Sequence, residues 1–342
     1  MSRLAYSEAE LLASHPGSRA HVVAGRRLHG GFDAAGRYVP PRLLHRGPAV
    51  EAWSERLRAR GGDLLPADSS LLAGVRFPNE AQQKLLIREG LGQTFWNTLT
   101  ITGRIEARGR ILADLPFPDL RDTVVEDVSE MGIGHLSRGL LRAHGLDEGG
   151  EPRTGIGGHD VMWFALRDLA FGETGYPEPP VPDTLARPES DAEAFPRLPL
   201  PVVRTVYFLG NLLMIEFRAE RGFAFSERLL LDRELFTERR AEAELAAEIV
   251  NRIRTDEEIH VRSLRLYLGE LRSVQLRTLD GGRMPGRELV DALWAGIVRW
   301  ATLEQPVLAA AQQRRILAER IRAHPDGARL LAAFEALGDA RA

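Results

Sequence analysis

Val206–Phe217, VYFLGNLLMIEF, and Arg254–Arg262, RTDEEIHVR, decide how this chain folds. In the first, Glu216 stands in an otherwise almost wholly apolar run, so its side chain points into a core. There an unpaired carboxylate costs several kcal/mol or keeps its proton. In the second, Ile249, Ile253, Val261, Leu264, Leu268 and Leu271 recur at helical spacing, and Glu257 and His260 fall on the same stripe. A Glu and a His three positions apart on one buried helical face can share a metal ion. Polar Asp232–Arg240, DRELFTERR, separates the two stretches. Glu216 and Glu257 each lie about 20 residues from it, so two antiparallel helices rising ~1.5 Å per residue bring them level.

Upstream, Asn79 with Gln82 three residues on has the pattern of a capping box, and a long helix is expected from there to Asp114. Its stripe Phe95, Leu99, Thr102, Glu106, Ala113 carries Glu106 inward. Pro116 and Pro118 break it, and a second helix from Asp119 to His144 is expected to return. That helix holds Glu126, Asp127, Glu130 and His135, and the acids again come level with Glu106. Two hairpins, each with acid at mid-height, predict an all-α four-helix bundle with a site inside. Glu130 and His135 are five apart, on different faces of a regular helix; a π-bulge at Gly132 and Gly134 would bring them together. Asp127 or Glu126 would serve in place of Glu130, and His159 is a rival to His135. The plain alternatives are an ion pair from Glu216 to Arg254 or Arg262, a hydrogen-bonded core His260, and surface bridges from Glu106 to Arg104, Arg108 or Arg110.

The chain has 342 residues and a net charge of −3 with both signs throughout, so no nucleic-acid surface is announced. No run of about 18 apolar residues and no signal-peptide pattern stand out, which reads as a soluble cytoplasmic protein without a membrane partner. Cysteine is absent, so any metal must be held by His and carboxylate. GIGGHD and HGGFDAAG neither follow a clear strand nor contain GKS/T, and read as turns. His15, His21, His29 and His45 lack helical spacing and read as surface or loop residues. Residues 1–77 form an irregular N-terminal extension, 78–275 the helical bundle, and 276–342 additional C-terminal helices; the proline-rich Tyr176–Pro201 is a long loop.

Carboxylate from helix one, carboxylate and His from helix two, Glu216 from helix three and Asp256-Glu257-Glu258-Ile259-His260 from helix four resemble the ferritin-like diiron-carboxylate proteins, among them acyl-carrier-protein desaturases and the ribonucleotide reductase small subunit. The resemblance covers roughly residues 80–275. It departs from that pattern in having no Glu-x-x-His on helix two. It implies Glu106, Glu130, Glu216 and Glu257 as carboxylate ligands and His135 and His260 as imidazole ligands of two iron ions, or of a manganese–iron pair. Such donors suit iron or manganese, and an apolar surround of Phe95, Leu99, Met131, Leu213, Phe217 and Ile253 would keep water away. The implied activity is dioxygen-dependent hydroxylation, desaturation or N-oxygenation of a small-molecule or carrier-bound organic substrate. Electrons would come from an external donor of the ferredoxin or reductase type, and a homodimer stays open. Two rival readings are a haem-oxygenase-like metal-dependent oxidase, using His135 or His159 with Glu130 and Asp256 or His260, and a non-catalytic helical binding or scaffold protein.

Overall fold

The computed structural model describes residues 3–74, 76–187 and 192–339, with the side chains of 192, 308–311 and 339 outside the description. The described chain is mostly helical. The N-terminal segment has a short helix, α1 (Glu8–Leu11), whose Ser7 and Glu10 cap each other, then two small hairpins and α2 (Arg46–Ala59). Strand β1 (His21–Val23) pairs antiparallel with β2 (Arg26–Leu28), and β3 (Gly31–Phe32) with β4 (Tyr38–Val39). Past β2 the chain runs alongside Gly157: the His29 N–H donates to the Gly157 carbonyl at 3.0 Å and the Gly157 N–H to Arg27 at 2.8 Å.

The expected helix from Asn79 to Asp114 is two, α3 (Glu80–Arg88) and α4 (Gln93–Gly109). Gly90, at φ 78°, turns the chain between them. The Asn79–Gln82 capping box forms as read. The second helix, expected over Asp119–His144, does not form. Its early part is two short 3-10 turns, Leu120–Asp122 and Gly132–Arg138, and α-helix begins only with α5 (Leu140–Gly149). Distant partners win over local propensity here. The Val125 N–H donates to Gln275 and the Arg277 N–H to Thr123, joining this segment to β5 (Gln275–Arg277), which pairs with β6 (Arg283–Pro285). The buried Glu270 carboxylate accepts the N–H groups of Gly132 and Ile133 at 3.1 and 2.9 Å.

Helix α6 (His159–Phe171) follows the glycine turn, and α7 (Leu200–Leu231) and α8 (Arg240–Arg272) form the expected long hairpin. At its turn, the Arg240 guanidinium donates to the carbonyls of Leu230 and Asp232 at 2.5 and 2.7 Å, satisfying groups that the end of α7 leaves open. Helix α7 packs on α8, α8 on α6, and α6 on α4; α4 and α7 make no extensive contact with each other. An apolar window of α7 is long and hydrophobic enough to cross a membrane, yet 67% of it is buried inside the protein. Two apolar layers cross the α7–α8 hairpin. One contains Leu209, Leu213, Phe217 and Leu264, the other Phe95, Leu99, Trp163, Phe223, Ile249 and Ile253. Glu216 and Glu257 lie at the seam between them.

Beyond β6, α9 (Gly286–Arg299) packs on α7 and α8. A wide π turn at Trp300–Glu304 interrupts what reads in sequence as one helix before α10 (Gln305–Arg322). With α11 (Gly327–Asp339), α10 packs on α3 through Leu86, Leu317, Ile321, Leu330 and Phe334.

Candidate metal centre

Seven ionisable side chains from five helices converge in the interior. Helix α4 supplies Glu106, α5 His144 and Glu148, α6 His159, α7 Glu216, and α8 Glu257 and His260, every one of them buried. Gly158 makes part of this approach possible: a Cβ there would meet the Asp147 carbonyl oxygen at 2.4 Å, so only glycine lets α6 begin against the end of α5. The seven form two groups, His144–Glu148–Glu216–His260 and Glu106–Glu148–His159–Glu257. In each, one ligand atom per residue lies within 4.8 Å of the others, and Glu148 belongs to both.

The imidazoles face this cluster with one nitrogen each. His144 Nε2 is 3.0 Å from Glu216 Oε1, and His159 Nδ1 is 3.0 Å from Glu257 Oε1. His260 Nδ1 is 2.7 Å from Glu257 Oε2 and 3.2 Å from Glu148 Oε1. The rings of His144 and His260 stack at 3.8 Å. Behind two of them stand further carboxylates, with His159 Nε2 3.3 Å from Asp256 Oδ2 and His260 Nε2 3.2 Å from Asp147 Oδ2. An ionised carboxylate only accepts, so Nε2 carries hydrogen and Nδ1 can turn a lone pair inward. A carboxylate behind the ring is the usual support of a metal-ligating histidine. Asp147 in turn accepts from Arg42 at 2.7 Å and Arg46 at 2.5 Å. Arg42 reaches it from a left-handed backbone, φ 53°, a conformation that costs energy outside glycine. Asp256 accepts from the Tyr38 hydroxyl at 2.9 Å.

Without a cation the acids divide protons among themselves. Burial, reinforced by the charge of Glu257, pushes Glu216 up to about 8. Burial and the charge of Glu148 push Glu106 well above the carboxylate range. Burial works to raise Glu257 too, but the His260 and His159 charges hold it at about 2. For those two imidazoles burial pulls downward, and the facing carboxylates, Glu257 foremost, hold both well above the usual value. Even so, His144 Nε2, Glu148 Oε1 and His159 Nδ1 are buried and, although each has an oppositely charged group at 3.0–3.2 Å, none makes a hydrogen bond of good geometry. Buried polar atoms are rarely left so, and these three, divided between the two groups with Glu148 in both, are atoms that a cation in each group would satisfy. Four carboxylates against two dications balance, while Asp147 is neutralised separately by its arginines.

A cleft of about 220 Å³ reaches the cluster through the gap between α4 and α7. Ile105, Leu112, Phe208, Leu212 and Ile215 wall it, and Glu106, His144, Glu148 and Glu216 lie at its inner end. Residues 182–187 strap its mouth, with Arg108 donating to the Asp183 carbonyl at 3.3 Å and Arg218 to that of Leu185 at 3.1 Å.

Of the residues expected from sequence, the structure brings Glu106, Glu216, Glu257 and His260 together. It does not bring Glu130 or His135 there. Glu130 is exposed, 3.9 Å from Arg56. His135 Nδ1 meets the Met131 carbonyl at 2.8 Å, its Nε2 accepts from the Tyr6 N–H at 3.2 Å, and its ring lies on Trp53. Both nitrogens are thereby used. Asp127 and Glu126 cap Ser129 and Gln275 instead. Arg254 pairs with Glu227 and Arg262 with Glu51, so neither neutralises Glu216. Phe95, Leu99, Met131, Leu213, Phe217 and Ile253 are all buried, but none of them lines the cleft that reaches the cluster. His144, Asp147 and Glu148 escape the sequence reading although His144-x-x-x-Glu148 has one-face helical spacing, because a helix ending at His144 leaves Glu148 outside it. His29, read as a loop residue, is buried beside Asp256.

No family model, curated protein or solved structure matches this chain. What it does therefore rests on the site itself.

Proposed function

We propose that the chain is a non-haem dinuclear iron oxygenase or oxidase of the ferritin-like diiron-carboxylate kind. One observation carries the reading: two buried ligand groups share Glu148, and three of their inward atoms face charged neighbours without making a well-formed hydrogen bond. Glu106, His159 and Glu257 would hold one ion, His144, Glu216 and His260 the other, with Glu148 between them. Two ions so placed, when bound, would share the electrons that reduce dioxygen. Asp256 and Asp147 fix the rings of His159 and His260, so that their Nδ1 atoms need no reorientation on binding. The apolar walls of the α4–α7 cleft keep water out and favour an apolar portion of an organic substrate. Hydroxylation takes up two electrons and two protons beyond the substrate's own, so an external donor belongs to the proposal.

One observation favours a haem-oxygenase-like framework as a second reading: His159 comes from α6, with Asp256 behind it, in place of a ligand pair on the second helix of a level hairpin. That reading shares the metal chemistry and differs in helix order. A scaffold protein would hold no stoichiometric metal. The test is anaerobic titration of the metal-free protein with ferrous iron, followed by oxygen. At least two equivalents and a new charge-transfer absorption are expected, with both diminished in Glu148→Ala. Uptake below one equivalent, or equal uptake by the variant, overturns the proposal.

A further inference from the structure

His29 is 3% exposed, and neither of its ring nitrogens has a hydrogen-bond partner. Its Nε2 lies 3.2 Å from Asp256 Oδ2, the same oxygen that stands 3.3 Å from His159 Nε2 and 2.9 Å from the Tyr38 hydroxyl. Asp256 Oδ1 is likewise buried and unpartnered. Ligand atoms of His29, His159 and Asp256 fall within 4.8 Å of one another. Donors around a tetrahedral ion at ~2.0–2.1 Å stand about 3.3 Å apart, close to the 3.2 and 3.3 Å that separate Asp256 Oδ2 from the two imidazole nitrogens. The backbone fixes His29 in this place, because its N–H is bonded to the Gly157 carbonyl two residues before His159. Gly30 then makes room for Tyr38: at φ +70°, a Cβ there would lie 2.2 Å from the Tyr38 hydroxyl oxygen.

We propose that His29, Asp256 and the outer nitrogen of His159 bind a further divalent cation, of the zinc or ferrous class, with the Tyr38 hydroxyl placed as a fourth ligand. His159 then carries an ion on each nitrogen as an imidazolate, its last N–H proton passing to solvent. The imidazolate and Asp256 together offset the added dication. Only this bridging role rests on the two-ion reading; with the inner positions empty, His159 binds through Nε2 as a neutral ring with its proton on Nδ1 against Glu257. The ion would also fasten the N-terminal extension to α6 and α8, since His29 and Tyr38 belong to the former and His159 and Asp256 to the latter.

Full-length protein stripped with chelator and titrated with zinc should retain three equivalents, His29→Ala two. Cobalt(II) in place of zinc should give the strong visible bands of four-coordinate geometry, weakened several-fold in His29→Ala. Glu148→Ala should lose inner ions and keep the equivalent that His29→Ala removes. Should His29→Ala lose its circular dichroism, His29→Gln replaces it. Two equivalents in the wild type, unchanged in count and cobalt spectrum by either His29 substitution, overturn the outer site. A count that falls in His29→Ala but is unaffected by Glu148→Ala supports the outer site and refutes the two-ion centre.

Discussion

Glu216→Gln should stabilise the metal-free protein and cripple the metal-bound one. The buried carboxyl is pushed up to about 8 from its ordinary 4.5, so the folded state holds a proton that the unfolded chain releases between those values. Stability is therefore intact below pH 4.5 and declines as pH rises toward 8. At pH 7 the gap is worth about 3 kcal/mol at 1.36 kcal/mol per unit. Glutamine matches the shape, does not titrate and escapes that penalty. With roughly 2–4 °C per kcal/mol for a large domain, the chelated variant should melt roughly 6–12 °C above wild type at pH 7 and level with it near pH 4.5. Adding ferrous iron or zinc should reverse the order, because a bound ion stabilises the native state of the wild type by mass action and has one ligand charge fewer in the variant. Differential scanning calorimetry at the two pH values, with chelator and with metal, measures all four states. If the chelated variant is less stable than wild type by the same amount at both pH values, Glu216 is not a burdened carboxylate and the electrostatic reasoning is wrong.

Metal uptake near neutral pH should release protons from Glu106, Glu216, His159 and His260, visible with an indicator dye in weak buffer, and affinity should fall about tenfold per pH unit for each proton displaced as pH drops. Uptake without proton release would contradict the charge assignment. Asp147→Ala strands Arg46 and leaves Arg42 only the half-exposed Glu151, with both arginines only 3% exposed, and should cost about 3–5 kcal/mol in urea unfolding. Leu212→Trp should block the cleft, slowing azide access to the oxidised iron-loaded protein by at least about tenfold through steric exclusion while the metal count stays the same. Glu130→Ala should leave metal content and stability at wild-type values within about 0.5 kcal/mol, as befits an exposed residue.

The α7–α8 hairpin and its ligands were legible because the signal is local. Glu216 interrupts an apolar run, and Glu257 and His260 share a stripe that one helical period exposes. Glu106 was legible on the same ground. The segment from Asp119 to Arg138 was not, because its shape is set by groups far away in the chain: the Glu270 carboxylate, and strand β5 beyond α8. Once those claim its backbone, the helix starts some twenty residues late and presents His144 and Glu148 where Glu130 and His135 were expected. His29 was illegible for a related reason, since only the pairing of the chain beyond β2 with Gly157 turns a loop histidine into a buried one.

The ligands' spread along the chain dictates when the centre can be assembled. A ribosome that has released α4, α5 and α6 has delivered Glu106, Glu148 and His159, but Glu257 and His260 follow only with α8, which packs on α6 and α7. Any metal the centre takes would therefore enter only once α8 is in place. The protons that Glu106 and Glu216 hold in its absence would act as placeholders, letting the interior close first and leaving if a cation binds.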